Sequence, residues 1–270
     1  MPGDDRRKIE KGIAAAPDSI LMDLEDAVAL NRKAEARAVT ASALKELDFG
    51  RSEKLVRINQ VDSGFAEDDL AAILPARPDG LCLPKVESPE QIEWARRRLP
   101  DNMPLFVMIE TARAIVNLKE IAATPGLSGL AFGAEDFIAS VGGVRTRGGW
   151  EVFHARSAIA LHAAAFHLAS IDMVFTDLRD EAEPDLRAES RAAVELGYSG
   201  KFAIHPKQIA PIVEAFMPSP EEAARARRLV AAYDEQQAKG FGAFTFEDKM
   251  VDMPMLRAAQ DVIARSQTGR

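Results

Sequence analysis

Short apolar runs alternate along the chain with longer amphipathic stretches. The runs cover residues 19–24, 54–58, 80–83, 105–109, 129–132, 171–175 and 201–204. They lack the in–out alternation of a half-exposed sheet, as expected for parallel strands covered on both faces. The stretches between them are rich in Ala, Glu, Arg and Leu, which favour helix. Two helix starts carry their own signals. Ser88-Pro89-Glu90-Gln91 and Ser219-Pro220-Glu221-Glu222 each place Ser at the cap, Pro in the first turn and an acid or amide three residues on. A strand–helix alternation of this kind predicts βαβ units and a parallel sheet.

The pattern supplies seven strands, and a closed (β/α)8 TIM barrel needs eight. Residues 6–16 read as helix and only the turn Pro2-Gly3-Asp4 precedes them, so the barrel is expected to lack its first strand. A doubly wound open sheet is the alternative. Residues 1–218 are read as the barrel domain and 219–270 as a C-terminal helical extension.

The polar residues sharpen this picture, because they collect where the apolar runs end. Those ends carry Asp23, Glu25 and Asp26; Arg57 and Asn59; Pro84-Lys85; Glu110-Thr111; Gly133-Ala134-Glu135-Asp136; Asp177; and His205-Pro206. In a parallel barrel the strand C-termini converge on one mouth, where active sites form. Any single strand end is often polar and solvated, but repetition around one rim points to a site. Glu110 and Asp136 end successive strand units, so neighbouring strands bring two carboxylates together. Left bare they repel and raise one pKa, and a divalent cation such as Mg²⁺, held by oxygen ligands, relieves the repulsion. Two helix-capping carboxylates are the plainer reading. Arg57 offers a planar fork suited to a carboxylate, or to an ion pair with Asp23, Glu25 or Asp26. His205 reads equally as a packed core residue or a catalyst. His154, His162 and His167 show no ligand spacing.

Composition narrows the partners. Hydrophobic residues are 47% and charged residues 28%, an ordinary globular balance, and the net charge of −8 argues against nucleic acid. No apolar stretch approaches the roughly 18 residues of a membrane span, and the start lacks a signal region. Cys82 is the one cysteine, so no intrachain disulfide forms, which suits the cytoplasm; it lies in an apolar run and reads as core.

Motifs running almost end to end resemble the citrate lyase β-subunit/HpcH–HpaI aldolase family, in its CitE-like branch. They are Pro2-Gly3-Asp4; Met22-Asp-Leu-Glu-Asp-Ala-Val28 with Lys33 and Ala36-Arg37; Val56-Arg-Ile-Asn59; Leu83-Pro-Lys-Val-Glu87; Ile109-Glu-Thr-Ala112; and Phe132-Gly-Ala-Glu-Asp136. Leu196-Gly-Tyr-Ser-Gly-Lys201, Ile204-His-Pro-Lys-Gln-Ile209, Pro218-Ser219 and Lys249-Met-Val-Asp-Met-Pro254 continue them. The resemblance implies a phosphoenolpyruvate/pyruvate-type barrel in a trimer or dimer of trimers. It implies Mg²⁺ (or Mn²⁺) on Glu110 and Asp136, substrate oxygens on Arg57, and substrate contacts from Glu110, Ala134 and Glu135. It implies that Asp252 is the general acid/base, carried by the C-terminal segment to a neighbouring subunit's barrel. The expected reaction is carbon–carbon cleavage, or formation, of a hydroxyacyl-coenzyme A ester. The products are acetyl-CoA or propionyl-CoA and an α-keto acid.

Competing expectations are a pyruvate aldolase without coenzyme A, a malyl-CoA thioesterase, and a component of a citrate lyase complex. Arg6-Arg7-Lys8 reads as a solvated helix face, with a coenzyme A phosphate contact as the alternative. One departure concerns the turn before Asp252, where Glu247-Asp-Lys-Met250 replaces the family's Asp-Gly-Lys-Met and loses its glycine.

Overall fold

The structure, a computed structural model, describes residues 1–268; Gly269 and Arg270, the end of the expected extension, lie outside the described residues. The chain divides into two compact units at Ile209, with the second beginning at Ala210.

The first unit opens with α1 (Arg6–Ala14), β1 (Ser19–Asp23), α2 (Lys33–Glu46), β2 (Glu53–Arg57), α3 (Ala66–Ile73) and β3 (Gly80–Leu83). It continues with α4 (Pro89–Arg96), β4 (Leu105–Ile109), α5 (Ala112–Val116), α6 (Leu118–Ala122) and β5 (Gly129–Phe132). It ends with α7 (Ala134–Val141), α8 (Trp150–Ala165), β6 (Ala169–Asp172), α9 (Glu183–Leu196) and β7 (Gly200–Lys201). All seven strands are parallel and stand in the order β1 to β7 without a reversal. This order excludes the doubly wound alternative, whose sheet reverses direction at a switch point. Right-handed crossovers that always step the same way put every helix on one face. The opposite face has only itself to pack against, so the sheet curls in the (β/α)8 manner. Met1–Gly3 runs along the free edge of β1: Asp23 N–H donates to Met1 O at 2.9 Å and Gly3 N–H to Asp23 O at 2.7 Å.

Residue parity assigns the two faces. Met22, Val56, Leu81, Leu83, Val107, Ile109, Leu130 and Phe132 are fully buried on the helix-covered side. The alternate positions form the barrel interior, where Cys82, Met108 and Ala131 pack with Leu21, Phe106, Ile171 and Phe202. A Cβ on Gly129 would meet the Phe106 ring at 2.7 Å, so the missing side chain makes room for that ring. Cys82 is buried and free, and burial pushes its thiol up to about 12, which fits an inert core residue. Asp23 and Arg57, and by continuation Glu110 and Gly133, share the interior parity at the C-terminal rim.

Two strands differ from the sequence expectation. β6 starts at Ala169 and ends at Asp172, and β7 ends at Lys201. The Met173 and Phe175 carbonyls accept from the side chains of Lys201 (2.7 Å) and Gln208 (2.7 Å) instead of from a strand. Ile204 N–H donates to Gln208 Oε1 at 2.9 Å. Side chains thus replace the ladder there, a substitution that hydrophobicity does not reveal.

The loop after β1 is braced from below. Asp69, fully buried on α3, accepts from Arg37 Nε and from both Asn59 N–H and Asn59 Nδ2, each at 2.7 Å. Asn59 Nδ2 also donates to the Leu24 carbonyl at 2.9 Å, and Lys33 Nζ to the carbonyls of Leu24 and Glu25 at 2.7 Å.

In the second unit, α10 (Ile209–Phe216) leads to α11 (Pro220–Ala238), the hairpin β8 (Phe244–Phe246) and β9 (Lys249–Val251), and α12 (Met253–Thr268). Ala226, Leu229, Tyr233, Val251, Leu256 and Ala259 form its core. Both predicted helix starts appear as capping boxes, at Ser88 and at Ser219. The hairpin turn forms without glycine. Glu247 (φ 47°) and Asp248 (φ 61°) both take the left-handed backbone of a two-residue turn. The Glu247 carboxylate is held there by Arg225 at 2.6 Å and Arg228 at 3.0 Å. Among the described residues no helix is long and apolar enough to cross a membrane.

Asp69→Ala removes the buried acceptor that Arg37 and Asn59 share, so it should cost about 3 kcal/mol of barrel stability, read from the urea midpoint. A loss below about 1 kcal/mol would show that the β1 loop is held by other contacts.

Candidate active site

The mouth of the barrel is a chain of linked charges. Asp23 ends β1 and Arg57 ends β2 directly beside it in register. Arg57 donates to Asp23 through Nε at 2.7 Å and Nη2 at 2.6 Å, a two-point pair. Asp23 also accepts from the backbone N–H of Glu25 at 3.0 Å and of Ala27 at 3.1 Å. Burial pushes the Asp23 carboxyl up, but Arg57 and these N–H groups hold it below the usual range. The same pairing keeps Arg57 charged against its burial. Arg57 Nη1 donates to no group among the described residues, so that end of the fork is open to a ligand.

Glu25 carries the chain onward. Its Oε2 lies 3.4 Å from Arg57 Nη2 and its Oε1 bonds the Lys85 ammonium. Oε2 is buried without a hydrogen-bond partner, and burial raises the Glu25 carboxyl despite Lys85 and Arg57. Lys85 Nζ also donates to Asp26 at 2.6 Å. Its backbone N–H donates to Glu110 Oε1 at 2.6 Å.

Glu110 is 1% exposed, one residue beyond β4. Burial pushes its carboxyl up to about 7; the Lys85 N–H and Arg57 oppose the shift, and Asp136 adds to it. On the Oε2 side lies Gly133, where a Cβ would stand 2.3 Å from that oxygen. A side chain at position 133 would therefore displace the carboxylate. Asp136 sits in the first turn of α7, half-buried. Ala134 and Glu135 precede it, and the first helical bond runs from Phe137 N–H to the Gly133 carbonyl at 3.0 Å. The N–H groups of Ala134, Glu135 and Asp136 therefore lead the helix. The Glu135 side chain is exposed and pairs with Arg145 at 3.1 Å.

The other polar strand ends separate from this group. Asn59 turns down to brace the β1 loop. Thr111 caps α5 and donates to Glu87 at 2.7 Å. Asp177 pairs with Arg179 on the surface, and Arg179 holds its carboxyl down at about 2. His205 is exposed, and its Nδ1 accepts from Lys207 N–H at 3.2 Å. Its exposure sets aside the packed-core reading of His205, whose ring caps a short turn. Asp252 belongs to the second unit, at the start of α12, where its carbonyl accepts from Leu256 N–H at 3.1 Å. Sequence reasoning gave Glu25 and Lys85 no role of their own. Their available signal was a lysine directly after Pro84 and an acidic pair after β1, each at a strand end.

No group of three or more His, Cys, Asp or Glu side chains among the described residues is arranged around one metal position. Any cation at Glu110 and Asp136 would rest on two carboxylates and complete its shell with water or substrate. That is the habit of Mg²⁺. The buried carboxyl raised partly by its neighbour's charge, with Oε2 free of hydrogen bonds, fits such an ion.

Comparison with known proteins agrees with this architecture. Residues 1–206 match the HpcH/HpaI aldolase/citrate lyase family. The chain is 42% identical to the mitochondrial citramalyl-CoA lyase of Rattus norvegicus, over 97% of this chain and 83% of that protein. It is 35% identical to a (3S)-malyl-CoA thioesterase of Cereibacter sphaeroides, over 99% of this chain and 93% of that one. The solved structure of CitE from Mycobacterium tuberculosis, in complex with magnesium, acetoacetate and coenzyme A, matches with a TM-score of 0.85. Its sequence is 36% identical, covering 98% of this chain and 96% of that one. Barrel order, charged mouth and these likenesses together establish that the chain belongs to the HpcH/HpaI aldolase/citrate lyase family.

Proposed function

We propose that this protein is a Mg²⁺-dependent carbon–carbon lyase acting on a hydroxyacyl-CoA ester of the malyl or citramalyl type. The observation that carries the reading is the Glu110–Asp136 pair at the mouth, with one carboxyl raised to about 7 and a guanidinium end left open beside it. The citramalyl-CoA lyase relatives and the magnesium- and coenzyme A-bound neighbour support it.

In this reading Glu110 and Asp136 hold Mg²⁺, and Mn²⁺ suits the same oxygens. When bound, the cation supplies Lewis-acid polarisation of the substrate's hydroxyl and carboxylate oxygens. Arg57 donates from Nη1 to the same carboxylate. The N–H groups of Ala134 and Glu135, at the positive end of α7, take a further oxygen. Loss of the hydroxyl proton to solvent, with cleavage of the bond between the hydroxyl-bearing carbon and the thioester's α-carbon, leaves an α-keto acid and a thioester enolate. Asp252 is the proposed general acid/base: it protonates the enolate carbon, or removes the α-proton in the condensing direction. In our reading it acts at a neighbouring subunit's mouth, within the trimer or dimer of trimers that the resemblance implies. The cytoplasm suits a chain whose one thiol is free.

The coenzyme A end has a candidate seat. A hollow of about 410 Å³ beside the β1 loop is lined by Pro2, Ala27, Arg7, Lys8 and Arg32, among others. Arg32 is paired with Asp4 at 2.6 Å and Lys8 with Asp5 at 3.6 Å. Arg7 has no ion pair among the described residues and is the cation left for a phosphate.

The thioesterase relatives favour a second reading, in which water completes the reaction on a malyl-type ester. Mass spectrometry of hydroxyacyl-CoA esters incubated in Mg²⁺ or in chelator separates the two. A lyase yields acetyl-CoA or propionyl-CoA with an α-keto acid, whereas a thioesterase releases free thiol. Glu110→Gln or Asp136→Asn should lower kcat/KM by at least about 100-fold; near-normal turnover in both would sink the metal assignment. Glu110 is protonated below about pH 7 and must lose that proton to bind a cation. Mg²⁺ affinity should therefore fall about tenfold per unit as pH drops below that point and level off above it. A flat profile between about pH 6 and 8 would contradict this. Arg7→Glu should raise KM for the CoA ester about tenfold with kcat unchanged; an unchanged KM would remove the hollow from the coenzyme A site.

A further inference from the structure

Lys85 is the one mouth residue whose backbone is strained. Its φ of 50° lies in the left-handed region, which disfavours a residue that carries a side chain. Glycine would fill that conformation more cheaply. The Lys85 peptide is nevertheless committed, because its N–H donates to Glu110 Oε1 at 2.6 Å. The other end of the residue is committed as well. Nζ bonds Glu25 Oε1 and donates to Asp26 Oδ2 at 2.6 Å. The loop carrying those two acids is itself fixed, since Lys33 holds the Leu24 and Glu25 carbonyls at 2.7 Å. Lys85 is thus a strut from the β1 loop to the carboxylate beyond β4, with β2 and β3 between them.

We propose that Lys85 is a positioning residue for Glu110: anchorage of its ammonium on Glu25 and Asp26 holds the strained peptide that aims the Lys85 N–H at Oε1. With Oε1 engaged, and Gly133 presenting no side chain beside Oε2, one carboxylate oxygen is left turned to the cation in a fixed orientation. A glycine would take the same backbone without strain but would have no tether, so the N–H would lose its aim. This explains why a lysine occupies a position whose φ suits glycine. Outer-shell partners of this sort commonly change metal affinity by about 10–100-fold.

The inference rests on the reading of Glu110 as a metal ligand, and the test keeps the two apart. Mg²⁺ binding to the full-length protein, without substrate, is measured by isothermal titration calorimetry for wild type, Lys85→Met, Lys85→Gly, Lys85→Arg and Glu110→Gln. Thermal unfolding is recorded alongside. Lys85→Met and Lys85→Gly should weaken Mg²⁺ binding about tenfold or more. Lys85→Gly should do so without lowering the unfolding temperature below that of Lys85→Met, because it relieves the strained φ. Lys85→Arg, which spans the same two acids, should restore affinity to within about threefold of wild type. Wild-type affinity in both Lys85→Met and Lys85→Gly, with Glu110→Gln unable to bind, would overturn the positioning role and leave the metal reading intact. Wild-type affinity in Glu110→Gln would overturn both. Should Lys85→Met fail to fold, the Gly and Arg variants decide the question.

Discussion

An excess of negative charge in a partly dry mouth is the constraint on which the site depends. Among the described residues the ion pairs of Asp23, Glu25 and Asp26 come from Arg57 and Lys85, with the Lys33 ammonium close by on the carbonyls of Leu24 and Glu25, while Glu110 and Asp136 make no ion pair. Burial magnifies each charge's influence, and the two cations are spent on the acids nearest them. Arg57 pairs with Asp23, and Lys85 with Asp26 and with one oxygen of Glu25, whose other oxygen stays without a hydrogen bond. Glu110 has no cation of its own, and burial above all, with the charges of Asp136 and Glu25 adding to it, pushes its carboxyl up to about 7. In the proposed function a divalent ion would answer that corner. The rest of the fold serves to keep the acids from relaxing apart.

That work falls to residues behind the mouth, on the far side of the β1 loop. Lys33, Arg37 and Asn59 belong to the motifs that carried the family resemblance. They point away from the mouth and clamp the β1 loop through Asp69 and the carbonyls of Leu24 and Glu25. A motif residue is therefore as often a brace as a participant. The sequence gives little means to separate the two, since both need polar side chains near strand ends.

Much of the architecture was legible because its cause is periodic. Seven continuous apolar runs gave seven parallel strands. Glu110 and Arg57 could be picked out because they are polar groups where those runs end. What escaped notice depends on contacts between residues far apart in sequence. β6 and β7 stop early because Lys201 and Gln208 take carbonyls that a longer strand would have used. The tether from Lys85 to Glu25 spans 60 positions, and no local pattern announces it. The hairpin before Asp252 is a third case. The glycine of the family's turn is absent, yet the left-handed turn forms, with Arg225 and Arg228 on α11 paired to Glu247.

The Asp23–Arg57 pair also fixes the plane of the guanidinium. Nε and Nη2 are engaged along one edge of the fork, and the acid that holds them stands beside Arg57 in the register of β1 and β2. The N–H groups of Nη1 and the second N–H of Nη2 form the remaining edge. That edge is set before anything approaches it, so a group meeting it spends none of its interaction on ordering a flexible side chain.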